Sequence, residues 1–221
     1  MALLFEDTFT GSSLLSSHIS DTGQSWTILS DTPDNCAVVA GGLLQYNLFS
    51  GGAAAFEARA QDVVSTLDTV TIEAEVNWQA GAGRYGFVSI GVQGPSGVFE
   101  FSIARGTDGS NDVVTTSIEA GGITNLVITN MVNGVNKLKA QLDFANNVSA
   151  LFVNNVQIYY GPKAQSLTAP FGVYLACSGG ESGSSNLITT SYNYVTVTDD
   201  APQPPVVGNW WTNIVKANEY P

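Results

Sequence analysis

An all-β protein built as two antiparallel sheets packed face to face is the architecture the sequence predicts, and three observations predict it. Apolar and polar residues alternate with a period of two along much of the chain. Clusters of turn-forming residues break the alternation roughly every 8–12 residues. No window of about 11 or more residues carries apolar side chains at helical spacing. A period of two sends successive side chains to opposite sides of a strand, giving one dry and one wet face. Many short strands of that kind close into a sandwich.

Each element follows in order. Gly52–Val64 is rich in alanine, which favours helix, but Phe56-Glu57-Ala58-Arg59-Ala60 alternates, so the segment reads as loop followed by strand. In Val70-Thr71-Ile72-Glu73-Ala74-Glu75-Val76-Asn77-Trp78 the even positions are apolar and the odd ones polar. After Gly81-Ala82-Gly83, strands read at Phe87–Val92 and Val98–Ala104, split by Gly94-Pro95-Ser96-Gly97. Gly106-Thr107-Asp108-Gly109-Ser110 ends the second, and further strands read at Val113–Glu119 and Asn125–Thr129. Leu138, Ala140, Leu142 and Phe144 alternate with Lys137, Lys139, Gln141 and Asp143. Ala150 and Phe152 lead to Val156 and Ile158 through Asn154-Asn155, a pair that tolerates positive φ and suits a tight hairpin. Strands at Gly172–Cys177 and Tyr192–Thr198 enclose the serine- and glycine-rich stretch 178–185.

The 221 residues include 7 Lys and Arg against 19 Asp and Glu, a net charge of −12. With 44% hydrophobic and only 12% charged residues, the chain is too apolar for disorder. A chain this long can bury roughly 70% of its unfolded surface. The cations, spread from Arg59 to Lys216, form no cluster of the kind that binds a phosphate backbone, so nucleic acid is excluded as a partner. A single histidine excludes multi-histidine metal sites. No apolar run is long enough to insert in a membrane as a helix. Met1–Asp7 lacks a basic segment and a long apolar stretch, so the sequence predicts a protein made and kept in a cytoplasm. Cys36 and Cys177 are then expected to be buried thiols, with a disulfide as the alternative outside a cell.

Composition shifts at Asp199. Asp199-Asp200-Ala201-Pro202-Gln203-Pro204-Pro205 reads as an extended linker, dividing a sandwich domain (1–199) from an extended C-terminal tail (200–221). The tail holds Trp210, Trp211, Ile214 and Val215, apolar groups that gain from burial on the parent domain or on a neighbouring subunit. The reach of the spacer favours the neighbour.

Three stretches carry a family likeness. The opening Leu4-Phe5-Glu6-Asp7-Thr8-Phe9-Thr10-Gly11, followed by Trp26-Thr27-Ile28, is the first; Asn136–Gln141 leading to Ala150–Val156 is the second; Tyr192–Thr198 is the third. Together they resemble the concanavalin A-like jelly rolls of laminin-G and glucanase type, over roughly residues 3–198. The resemblance implies a first strand pairing near the last one and a hairpin crossing mid-sheet. Asn155 stands where that hairpin usually has glycine, and asparagine also tolerates the left-handed conformation. Such domains, rich in Gly, Ser, Thr and Asn, also look like bacteriophage virion proteins: head decoration (cement), fibre and tail modules.

Chemistry is sparse. Retaining glucanases of the resembled family carry E-x-D-x-x-E, placing two carboxylates about 5 Å apart. Glu73-Ala74-Glu75 shares one strand face, but Asn77 and Trp78 follow where the third acid would be, so a wet face is the favoured reading. Glu100 between Phe99 and Phe101 reads as a solvent-facing acid with its neighbours inside. Gly81–Gly86 matches G-x-G-x-x-G, yet a strand follows where a phosphate site needs a helix. Ser17-His18 reads as a loop pair, not a nucleophile and base. Asp108-Gly109-Ser110-Asn111-Asp112 offers oxygens at calcium-loop spacing without the closing glutamate, and Asp21, Asp31 and Asp34 lie near the start. The resemblance adds Asp7 and Asp199 as ligands of a structural calcium; no other cofactor is expected. It also implies sugar binding on aromatic platforms, for which Arg84 with Tyr85 and Tyr159 with Tyr160 are the candidates.

The sequence thus predicts a non-enzymatic bacteriophage structural protein, assembled in the host bacterial cytoplasm and carried on the virion. It is expected to be a homo-oligomer that meets capsid or tail subunits through Trp210, Trp211, Ile214 and Val215. The alternative is a lectin-like module for a cell-surface glycan. A divergent glycosidase acting through Glu73 and Glu75 is the remote one.

Overall fold

The structure, a computed structural model, describes residues 2–32, 36–46, 54–64, 68–79, 84–105, 112–114, 126–127, 134–162, 167–181 and 189–202. In chain order the strands are β1 (Leu3–Asp7), β2 (Ser12–Leu14), β3 (Trp26–Thr32), β4 (Ala37–Ala40), β5 (Leu43–Tyr46), β6 (Ala54–Val64), β7 (Thr69–Gln79) and β8 (Arg84–Gly94). There follow β9 (Gly97–Arg105), β10 (Asp112–Val114), β11 (Leu126–Val127), β12 (Gly134–Asp143), β13 (Val148–Val153), β14 (Val156–Pro162), β15 (Phe171–Glu181) and β16 (Thr189–Thr198). Gly52–Val64 yields a strand at β6, because its alternation outweighs its alanine content. Of the two strands expected between Val113 and Thr129, β10 and β11 are the described parts; the rest lies outside the described residues.

The strands form a nine-stranded sheet, ordered β14-β13-β12-β7-β16-β5-β4-β2 with β1 also on β16, and a seven-stranded sheet, ordered β11-β10-β9-β8-β15-β6-β3. The core lies between them. Val70, Ile72 and Ala74 of β7 stand opposite Leu142, Ala140 and Leu138 of β12. From the other layer Val88, Ile90 and Val92 of β8 stand opposite Ile103, Phe101 and Phe99 of β9. All twelve are buried. Tyr192 of β16 spans the core, its hydroxyl 2.8 Å from the Ser89 carbonyl and 2.7 Å from that of Ala176, so one phenolic proton ties the two layers together.

The Asn154-Asn155 turn has φ of 50° and 65°, the left-handed pair that a two-residue hairpin needs. Asn154 also fixes the hairpin to β12, accepting from the Lys137 amide at 2.9 Å and donating to Asn136 Oδ1 at 3.0 Å.

The first and last strands pair, as the resemblance implied. Beyond them the Ala2 amide donates to Asp199 Oδ1 at 2.5 Å, and this bond holds the Asp199 carboxyl below its ordinary value of 3.8. The residues after β16 then cross the nine-stranded sheet. Thr69 Oγ1 donates to the Asp199 carbonyl at 2.8 Å, Thr71 Oγ1 to that of Asp200 at 2.9 Å and Gln141 Nε2 to that of Ala201 at 3.5 Å. The segment that reads as a linker therefore begins as a strap bound to β7 and β12.

Candidate functional site

Inward positions of the seven-stranded sheet are taken by the core residues, which sends their alternates to its outward face. Register aligns these alternates in rows. One row runs Glu100 (β9), Gly91 (β8), Tyr174 (β15), Arg59 (β6) and Thr27 (β3). The next runs Ser102, Ser89, Ala176, Glu57 and Ser30 across the same strands. The outward face of a plain sandwich is wet. Here Ser89 is 0%, Ser102 5% and Tyr174 6% exposed.

A polar cluster sits at one end of these rows. Glu100 Oε1 accepts from Ser89 Oγ at 2.5 Å and from Ser102 Oγ at 2.6 Å, and the two hydroxyls lie 2.7 Å apart. Phe99 and Phe101 face inward as expected, whereas Glu100 is half-buried and hydrogen-bonded instead of simply solvent-facing. A Cβ on Gly91 would lie 2.0 Å from the Phe99 carbonyl oxygen, so only glycine keeps β8 and β9 together at this point. Gly172, opposite Gln93, is equally confined: a Cβ would lie 2.4 Å from both the Ala60 carbonyl oxygen and Arg59 Nε. Gly91 and Gly172, both buried, thus hold their strands close beside Glu100, Tyr174, Arg59 and Gln93. Gln93 Oε1 is buried and has no hydrogen-bond partner among the described residues. Carboxylate, guanidinium, amide and phenol in neighbouring positions are groups of the kind that hydrogen-bond a polyhydroxylated ring.

The acids expected from the sequence lie elsewhere. Glu73 and Glu75 do share a face, but it is the outward face of the nine-stranded sheet. Glu73 Oε1 accepts from Tyr194 OH at 2.9 Å and lies 3.2 Å from Lys137 Nζ, while Glu75 Oε1 accepts from Asn193 Nδ2 at 2.7 Å. The bonds to Tyr194 and Glu73 hold Lys137 above its ordinary 10.5, and burial raises Tyr194 above 10.0. Burial also pushes the Cys177 thiol well above 9.0. Each group keeps its proton more tightly folded than unfolded. The stability they contribute is full below the unfolded values and drains away as pH rises through the folded ones. The urea midpoint is therefore expected to fall as pH rises above about 9, the lowest of these values; a midpoint that rose there would contradict the assignment.

Tyr159 and Tyr160 are separated by the alternation of β14. Tyr159 stands opposite Leu151, packs against the core and donates to the Pro162 carbonyl at 3.0 Å; Tyr160 stands opposite Ala150 and is exposed. The backbones of Arg84 and Tyr85 lie on β8 opposite Glu181 and Gly180, and their side chains lie outside the description. Asp108 and the tail residues Trp210, Trp211, Ile214 and Val215 lie outside the described residues, as does the side chain of Asp112.

Asp7 is fully buried, and both its oxygens are engaged by N–H donors. Oδ1 accepts from the Phe9 amide at 2.8 Å and from His18 Nε2 at 2.9 Å, and Oδ2 accepts from Trp26 Nε1 at 2.7 Å. A carboxylate only accepts, so His18 presents Nε2–H to it. Asp199 lies instead on the Ala2 amide. No group of three or more metal-ligating side chains gathers among the described residues.

No protein-family model and no curated protein matches the chain. Solved structures do. One, from work on endo-acting O-glycanases of human gut microbiota that initiate mucin breakdown, has a TM-score of 0.61 at 12% identity, covering 89% of this chain and 99% of that one. The laminarinase catalytic domain of Thermotoga petrophila follows at 0.59 and 10%, covering 91% and 98%. The potassium-bound carbohydrate recognition domain of Emp46p stands at 0.58 and 14%, covering 86% and 96%. The chain has the concanavalin A-like jelly-roll fold shared by these lectin and glucanase domains. At such identities the likeness is one of fold.

Proposed function

We propose that this chain is a non-catalytic carbohydrate-recognition domain that binds a glycan across the outward face of its seven-stranded sheet. The observation that carries this reading is the row Glu100–Gly91–Tyr174–Arg59, where a hydrogen-bonded carboxylate, an aromatic residue and a guanidinium-bearing residue stand in register on adjacent strands. The fold supports it, since neighbours with the same two sheets are a carbohydrate recognition domain and glucanases. Hydrolysis needs two carboxylates about 5–9.5 Å apart. Glu57, the other described acid of these rows, is three strands away from β9, about 14 Å at the usual strand spacing.

The test is a glycan array probed with the full chain, followed by titration of the best ligand. Glu100→Gln is expected to weaken binding roughly 10- to 100-fold, the range for a hydrogen bond to a charged group. Glu73→Gln, on the opposite surface, should leave affinity unchanged. Absence of binding to every saccharide, equal binding by Glu100→Gln, or release of reducing sugar would each reject the reading.

A second reading places the domain on a bacteriophage particle as an oligomeric structural subunit. It is supported by the uncharged polar composition and by the strap, which holds Ala201 on β12 shortly before the tryptophan-bearing stretch of the sequence. Under this reading, deletion of 203–221 abolishes co-sedimentation with the particle and leaves sugar binding intact. Co-sedimentation at the full level would dismiss it.

A further inference from the structure

Cys36 immediately precedes β4 of the nine-stranded sheet, and Cys177 lies on β15 of the seven-stranded one. Both are fully buried in the same core, and both are thiols in this structure. The Cys36 thiol reaches across the sandwich, with Sγ 3.4 Å from the Ala55 carbonyl oxygen on β6. Ala55 is paired with Ser178, and Phe56 with Cys177. The Cys36 sulfur therefore sits over the inner face of β6, one strand step from Cys177, and paired backbones are about 4.5–5.5 Å apart. The two groups interact electrostatically: burial is the main reason the Cys177 thiol is raised, and Cys36 adds to it.

We propose that Cys36 and Cys177 form a disulfide joining the two sheets when the chain folds in the presence of a small-molecule disulfide such as oxidised glutathione. Burial disfavours the thiolate that attacks, so the exchange belongs to the opened chain and not to the finished sandwich. One cysteine thiolate attacks glutathione disulfide, forming a mixed disulfide and releasing one glutathione thiolate. The second cysteine gives its proton to solvent and attacks the protein sulfur of that mixed disulfide, releasing the second glutathione. Two protein thiols are oxidised and one glutathione disulfide is reduced to two thiols. The bridge closes the long loop between residues 36 and 177, where the constraint on the unfolded chain is large. The same sequence is then a dithiol in a reducing cytoplasm and a stapled sandwich outside it.

The experiment refolds the full chain from urea with oxidised glutathione, alkylates it with iodoacetamide in denaturant and weighs it. The expected product is lighter than the reduced chain by two hydrogens and carries no alkyl group. Its digest links the Cys36 and Cys177 peptides, and its melting temperature is higher by on the order of 10 °C, a gain that dithiothreitol removes. Cys36→Ala and Cys177→Ala are each expected to stop at a single glutathione adduct. A doubly alkylated chain, two glutathione adducts on one chain, or a disulfide-linked dimer would each overturn the proposal.

Discussion

Asp7→Ala is expected to destabilise the protein by about 3–5 kcal/mol, the cost of removing one partner from a buried hydrogen-bonded charge network. The substitution strands three N–H groups at once: the Phe9 amide, His18 Nε2 and Trp26 Nε1. None has water to fall back on, since Trp26 is 3% and His18 7% exposed. Phe5 meets Trp26 edge-on with centroids 5.8 Å apart, so loosening the indole loosens the first strand as well. Asp7→Asn should cost less, because the amide keeps one acceptor oxygen but turns an NH2 toward a donor. Urea unfolding measures both. A change under about 1 kcal/mol for Asp7→Ala would mean that the network carries little of the stability.

Gly91→Ala is expected to cost about 3 kcal/mol and to abolish sugar binding together. The atom that a new methyl would strike is the Phe99 carbonyl oxygen, part of the β9 backbone, and no side chain can swing aside to make room. β8 must therefore shift against β9, which displaces Ser89 from Ser102 and Glu100. Thermal unfolding and titration of the same glycan measure the two effects. Native stability combined with native affinity would remove Gly91 from the account.

The two-sheet fold was legible because burial imposes a period of two, and Val70–Val76 or Leu138–Leu142 report it residue by residue. The hairpin at Asn154-Asn155 was legible for a local reason, the tolerance of asparagine for positive φ. Glu73 and Glu75 could be placed on one face because two residues on one strand need no knowledge of a neighbour. The outward row could not be read in this way. Glu100, Gly91, Tyr174 and Arg59 lie on four strands and meet only through register, and each alone resembles an ordinary wet-face or turn residue. Asp7 was misleading for a related reason. The resemblance pointed its carboxylate at a cation, whereas His18, between β2 and β3, and Trp26, the first residue of β3, engage both oxygens.

The bond from Ala2 to Asp199 has a topological consequence. Residues 2–199 leave and return to the same spot, so this stretch is closed in space though open in sequence. Such a unit can be carried as a cassette, set into a surface turn of a host protein with both junctions side by side and the host backbone barely parted.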